Sequence, residues 1–421
     1  MTKEALQLPK YTIGVGDRFA LKGKAQLRAC VLAVESGVEI IPVWNKSNRE
    51  HLIVGSDPSE TRVAADAAVK ELQWKGGYFL DADHIGIKTV DRFLAPCDFF
   101  TIDVADKIGS PVGPRDIQEF AGRHPELSAE TMLEPSAVRL KASRSEVERV
   151  ARKYLAAVRE AGKIYRYTAQ REGAGTFIPE ISMDETDTPQ TPLELLIILG
   201  AIADEKIPIQ TIAPKFTGRF NKGVDYRGDV VAFTHEFTAE LAVVAHATRR
   251  YDLPANLKLS IHSGSDKFSL YRPIHRAIRD AGAGLHLKTA GTTWLAELAG
   301  LALAGDEALE LAKEIYVQAY EHIHELCAPY ASVIEINRSH LPPPEAVNRW
   351  SSQEYYGVLN HDSSCKSYNA DLRQLLHVSF KIAAKMGSRF TDAVKANEDL
   401  IARGVTENLF ERHIRPVFLP D

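Results

Sequence analysis

Ionisable residues collect at six places along this chain, each time directly after a short apolar run. The strings are "DADHIG" (Asp81, Asp83, His84), "TIDVAD" (Asp103, Asp106), "PEISMDET" (Glu180, Asp184, Glu185), "APKFTGRFNKGVDYRGD" (Lys215, Arg219, Lys222, Asp225), "HSGSDK" (His262, Asp266, Lys267) and "HLKTAG" (His286, Lys288). Carboxyl groups in pairs can exchange protons with a substrate hydroxyl. Neutral imidazoles can ligate a divalent cation while leaving positions open for a substrate that chelates through hydroxyl and carbonyl oxygens. His84, His262 and His286 follow three separate runs and are joint candidates for metal ligands, although any one histidine alone is more often a hydrogen-bonded structural residue. The string "SGSDK" reads as a tight loop whose N–H groups, with Lys267, can hold a carboxylate or hydroxyls. Arg219, Lys222 and Lys288 are further candidates to pair with an anionic substrate group. Asp266 is a candidate substrate contact and also fits a turn cap, the usual role of an Asp beside Ser or Gly.

The faces of these side chains follow from strand alternation, in which residues two apart look the same way. In "FIPEISMDE", Glu180, Ser182 and Asp184 share one face and Ile181 and Met183 the other, so Glu180 is expected to face inward. Glu185 falls on the opposite face and is expected to tolerate Gln. Lys258, Ser260 and His262 share a face, as do His286 and Lys288. The other histidines considered, His124, His235, His246, His322 and His324, fall on helices or loops and read as solvated or core residues.

The elements that must position these residues are eight strands: "KYTIGVGD", "VEIIPVWN", "GGYFLDAD", "DFFTIDVAD", "TFIPEISMDE", "PIQTIAPKF", "LKLSIHSG" and "GLHLKTAG". Helical patterns such as "KAQLRACVLAVES", "TPLELLIILGAIADE" and "GTTWLAELAGLALAG" lie between and after them. Strand and helix in alternation give a parallel sheet, and eight strands give an α/β protein with a (β/α)8 TIM barrel, whose chemistry sits at the C-terminal strand ends. The alternative is an open doubly wound sheet; against it, "GVGDRF" lacks the third glycine of a dinucleotide-binding turn. Residues 1–305 are assigned to the barrel, with 104–174 as an inserted helical segment after the fourth strand. Residues 306–421 form a helical C-terminal extension that covers it.

Composition narrows the function classes. The 421 residues are 45% hydrophobic and 25% charged, with a net charge of −5 and no Lys/Arg run longer than two, which excludes the basic field needed for nucleic acid. Cys30, Cys97, Cys327 and Cys365 lie far apart with no CxxC pair, as expected for free thiols in a reducing compartment. No apolar h-region opens the chain and no stretch reaches 18 apolar residues, so a cytoplasmic location without membrane contact is expected.

The strings "FLDADH", "FTID", "EISMDETDTPQTPLE", "NKGVDYRGD", "LSIHSGSDKFSLY" and "HLKTAGTTWLAEL", recurring in this order, resemble the bacterial tagaturonate epimerase family. The resemblance runs over most of residues 11 to 300 and extends to "LLHVSF" near residue 375. It implies a barrel like that of the class II aldolases, in which an Asp-His pair such as Asp83-His84 supplies a catalytic acid and a metal ligand. It further implies Asp83 as proton acceptor, Glu180 as proton donor, His84 and His262 as ligands of a divalent cation, and a keto-uronate as substrate. His286 is a ligand candidate from strand position alone. The family is expected to carry a longer N-terminal region, and assembly into an oligomer stays open.

Tagaturonate and fructuronate differ at a carbinol carbon β to the ketone, whose C–H proton the carbonyl does not acidify. Retro-aldol cleavage between the α and β carbons, rotation of the aldehyde and re-formation of the bond is the expected route. The metal is expected to act as a Lewis acid on the ketone and α-hydroxyl oxygens. Transient oxidation by NAD would also serve, but no dinucleotide fingerprint is present. Two other functions fit the same residues: an aldolase-type lyase that releases both fragments, and a sugar-acid binding protein without turnover.

Overall fold

Each of the eight apolar runs becomes a strand. In the computed structural model, which describes residues 5–133, 138–289, 291–362 and 364–420, these are β1 (Tyr11–Gly16), β2 (Ile41–Ser47), β3 (Phe79–Ile85), β4 (Phe99–Asp103), β5 (Ile178–Ser182), β6 (Thr211–Ala213), β7 (Lys258–Ile261) and β8 (Leu285–Lys288). They close into a barrel in which every neighbouring pair is consecutive and parallel, and β8 pairs with β1. The open sheet is thereby excluded. Strands buried on both faces explain the near-continuous apolar runs. β6 ends after three residues at Pro214, which lacks the N–H that would extend the ladder.

The helices start where local chemistry dictates. Thr191 caps the helix Pro192–Asp204 in a capping box with Glu194, and Ser143 caps Arg144–Glu172 with Glu146. The segment 104–174, expected as an insertion, contains this 29-residue helix, which is the crossover that returns the chain from β4 to β5. What is added to the βα repeat is the stretch before it: the helix Pro114–Arg123 and the antiparallel strand pair Thr131–Leu133 and Val138–Leu140. A right-handed parallel crossover needs a long connection on the outside of the sheet, so a strand-four segment without its own helix would not close the barrel.

The C-terminal helices pack across residue 305 in both directions. Trp294, Leu295, Leu298 and Leu301, on the helix Thr292–Ala304 that follows β8, share a second core with Leu311, Ile315, Leu375, Phe380, Phe390 and Ile401. The last stretch then returns to the barrel: Leu409, Phe410, Ile414, Val417 and Phe418 join the barrel core, and the Phe418 ring lies 5.3 Å from that of Tyr11 on β1. No described helix is long and apolar enough to cross a membrane.

Candidate active site

At the end of β3 the pairing with β4 shifts register between Ala82 and Ile85, and His84 takes a left-handed φ of 50°. A bulge of this kind re-aims one side chain out of the alternation. It turns the His84 ring toward His262, one residue past β7, with ring centroids 5.2 Å apart. His84 Nδ1 lies 3.0 Å from Asp103 Oδ2 at the end of β4. His262 faces Glu180 Oε1 with Nε2 at 2.8 Å and Asp184 Oδ1 with Nδ1 at 3.1 Å.

Beneath the two rings, Lys288 at the end of β8 is the hub of the floor. Its Nζ is 2.7 Å from Asp81, 2.8 Å from Asp83 and 3.0 Å from Glu180, and it donates to Thr101 Oγ1 at 2.6 Å. The Thr101 hydroxyl in turn reaches Asp81 at 2.8 Å and Glu180 at 2.9 Å. Space for the lysine comes from Gly14 on β1, where a Cβ would stand 2.8 Å from Lys288 Cγ. A cavity of about 100 Å³ opens above this floor, walled in part by Asn45, Asp83, His84, Asp184, Lys222 and His262.

Charge is unevenly shared here. Burial alone would raise Asp83 and Glu180, but Lys288 with the neighbouring histidines outweighs it and holds both below the usual carboxylate range. Asp81 goes the other way: burial, reinforced by Asp83 and Glu180, pushes it up to about 6 despite Lys288. Among the three carboxylates on Lys288 a proton therefore sits most readily on Asp81, one hydroxyl away from Glu180 through Thr101. Burial would lower His84 too, yet Asp83, Asp103 and Asp184 push it up to about 10. Three carboxylates around Lys288, with Asp103 and Asp184 beside the imidazoles, thus draw positive charge onto His84 and His262.

A family model described as tagaturonate epimerase matches residues 2–415. The chain belongs to the tagaturonate epimerase family. It is therefore an isomerase of the epimerase class. A tagaturonate/fructuronate epimerase of Thermotoga maritima is 26% identical, over 96% of this chain and 80% of its own length. A glycerol-complexed crystal structure of the fructuronate-tagaturonate epimerase of Cohnella laeviribosi is 25% identical with a TM-score of 0.81, covering 98% of this chain and 82% of that one. A second structure of that enzyme, with two glycerols, has a TM-score of 0.82 at 24% identity over 99% and 83% of the two chains and agrees in fold.

Within this epimerase fold the strand-end candidates separate. Asp83, His84, Glu180, His262 and Lys288 converge, and Lys222 reaches the same cavity, where its Nζ donates to Ser263 Oγ at 2.9 Å. Lys267 borders the cavity, but its ammonium is committed to the carbonyls of Asn221, Val224 and Ser265 at 2.9, 2.7 and 2.8 Å, so it builds the loop and has no proton left for an anion. Asp266 is fully buried away from the cavity, against Arg373 at 3.1 Å and His361 at 3.3 Å. Arg219 lies outside, paired at 2.7 Å with Glu335. His286 lies one inward-facing position below Lys288, its Nδ1 2.7 Å from Thr12 Oγ1 and its ring 5.4 Å from Phe99; burial pushes it down to about 3. Glu185 is exposed at the cavity rim.

Three residues to which the sequence reading gave no role lie among these groups: Asp184, Asp81 and Thr101. Asp184 stands with His84 and His262 as a group whose ligand atoms all lie within 4.8 Å of one another. The alternation that pointed Glu180 inward applied equally to Asp184, so its signal was present. Asp81, two residues before Asp83, carried it as well, whereas the uncharged Thr101 did not; that both share Lys288 is visible only in the fold. Two imidazoles and a carboxylate are a donor set suited to a divalent transition metal or zinc. His84 fits it further because Asp103 holds Nδ1 and leaves Nε2 for the ion, the usual support for a ligating histidine.

Proposed function

We propose that this protein interconverts D-tagaturonate and D-fructuronate in hexuronate breakdown in the cytoplasm, where its free thiols stay reduced. The reaction would depend on a divalent cation held by His84, Asp184 and His262, and would proceed by carbon–carbon cleavage and re-formation. The observation that carries the reading is the placement of Asp83 and Glu180, both on Lys288, beside the three residues that fit a metal. The cation would supply Lewis-acid polarisation of the substrate ketone.

The chain's own groups supply the rest. Asp83, held ionised, accepts the proton of the β-hydroxyl; the electron pair of that O–H bond forms the aldehyde C=O, and the pair of the α,β carbon–carbon bond passes to the ketone to give an enediolate. The aldehyde turns over its other face, the enediolate carbon attacks it, and Glu180 protonates the new alkoxide. Glu180 is itself held ionised, so its proton must come from a neighbour, and Asp81 through the Thr101 hydroxyl is the supply. The next turn begins when the proton on Asp83 is passed back through this cluster. Lys222, which has no carboxylate partner among the described residues, pairs with the substrate carboxylate. Membership of the epimerase family favours epimerase over lyase.

Stripping divalent metal, adding it back and following tagaturonate by NMR tests the reading. Conversion to fructuronate that stops on stripping and returns on addition is expected, with no deuterium at the epimerised carbon in D2O. Full turnover by metal-free protein overturns the metal requirement, stoichiometric deuterium overturns the cleavage route, and accumulation of two fragments makes the enzyme a lyase.

A further inference from the structure

Asn45, near the end of β2, is 2% exposed, and neither its amide nitrogen nor its amide oxygen has a hydrogen-bond partner among the described residues. Burying a donor and an acceptor unpaired is unfavourable, and nearly all buried polar atoms in folded proteins avoid it. The amide borders the active-site cavity, and Gly14 keeps its neighbourhood open: a Cβ there would stand 3.1 Å from Asn45 Nδ2. An apolar residue of the same shape would satisfy the barrel wall without this penalty, so packing gives no reason for an amide here.

The barrel order places Asn45 on a definite end of the substrate. Lys222 lies in the loop after β6, and its ammonium rests on Ser263, two residues past β7. Going round the barrel, β7 and β2 are separated by two strands one way and four the other, so the ammonium and Asn45 stand on different sides of the mouth. If the ammonium takes the carboxylate, a six-carbon keto-uronate lying across the mouth directs its other end, the hydroxymethyl ketone, at β2. A side-chain amide offers one acceptor and two donors on adjacent atoms, which complements a terminal hydroxyl that both donates and accepts.

We infer that Asn45 is a specificity-determining residue that binds the terminal hydroxyl of the hydroxymethyl ketone, the end of the substrate opposite its carboxylate. This rests on the function proposed above. Its role is to hold the ketone end still while the far fragment rotates, so that only the aldehyde face is exchanged.

The test compares tagaturonate with its 1-deoxy analogue, which lacks that hydroxyl, on wild-type protein, Asn45→Leu and Asn45→Ser. Wild-type kcat/KM should fall roughly 10- to 100-fold on the analogue, the range expected for loss of up to two hydrogen bonds. In both variants the two substrates should be turned over with similar kcat/KM, and the Tm of Asn45→Leu without substrate should equal or exceed that of wild type. A discrimination ratio that stays at the wild-type level in either folded variant overturns the assignment of Asn45 alone. Wild-type protein that fails to interconvert tagaturonate and fructuronate overturns the proposed function, and the inference with it.

Discussion

Lys288 shows how a single residue sets the chemistry of its neighbours. Its ammonium touches Asp81, Asp83 and Glu180 at once, so the two proposed proton carriers stay ionised while buried. Lys288→Met should cost about 3–5 kcal/mol of stability in a urea titration, because it leaves buried carboxylates without their cation. Asp83→Asn and Glu180→Gln remove only a proton site. They should keep bound metal, measured by elemental analysis, while turnover falls roughly 10²- to 10⁴-fold, the usual range for a general acid or base. His84→Ala, Asp184→Ala and His262→Ala should instead lose metal together with turnover. The exposed Glu185 at the rim should accept Gln with near-normal rate. A dead Glu185→Gln enzyme beside a normal Glu180→Gln enzyme would move the donor to Glu185.

At the scale of elements, the loop after β7 that carries His262 is clasped by the C-terminal helices. Asp266 faces Arg373 and His361, its own N–H donates to His413 Nε2 at 3.0 Å, and His413 Nδ1 donates to the Asn408 carbonyl at 2.9 Å. Both ring nitrogens are thus assigned, and Nε2 can accept only while the ring is neutral. Burial pushes His413 down to about 4 from an ordinary 6.5. The unfolded chain therefore binds a proton that the folded one refuses between these values. The stability from neutral His413 is fully present above pH 6.5 and lost as pH falls toward 4, about 3 kcal/mol in all. Urea midpoints measured from pH 7.5 to 4.5 should fall less steeply in His413→Gln than in wild type. Parallel curves would show that this ring does not carry the acid sensitivity.

At the scale of the molecule, the chain closes its barrel with its own tail. The final aromatic and aliphatic residues, Phe410, Ile414, Val417 and Phe418, pack in the barrel core, while the helix after β8 packs in the C-terminal one. His275 on the helix Phe268–Asp280 adds a contact of 3.0 Å between its Nδ1 and the Val417 carbonyl. Barrel and extension are accordingly expected to unfold in one calorimetric transition; two separate transitions would show independent units. Phe418→Ala should lower stability by about 3–5 kcal/mol, the range for a buried aromatic truncated in a core, and a chain ending at Leu409 should not fold cooperatively.

The sequence by itself determined the number and order of the strands, because apolar runs of strand length bounded by Pro, Gly and Asp have few other stable arrangements. It also determined which strand ends carry ionisable groups, and by the period of two it turned Glu180, His262 and Lys288 inward. Only the tertiary structure decided what each inward residue meets. His286 and Lys288 share a face and are two positions apart, yet one stacks in the barrel interior and the other joins three carboxylates, since alternation specifies direction but not depth. Asp266 and Lys267 lie in the same loop as His262, yet they are consumed by Arg373 and by backbone carbonyls from distant segments. The β3 bulge that aims His84, and the missing partners of Asn45, depend on strands brought together from across the chain. Local period fixes the face of a side chain; its partners come from closure of the barrel, which no short stretch encodes.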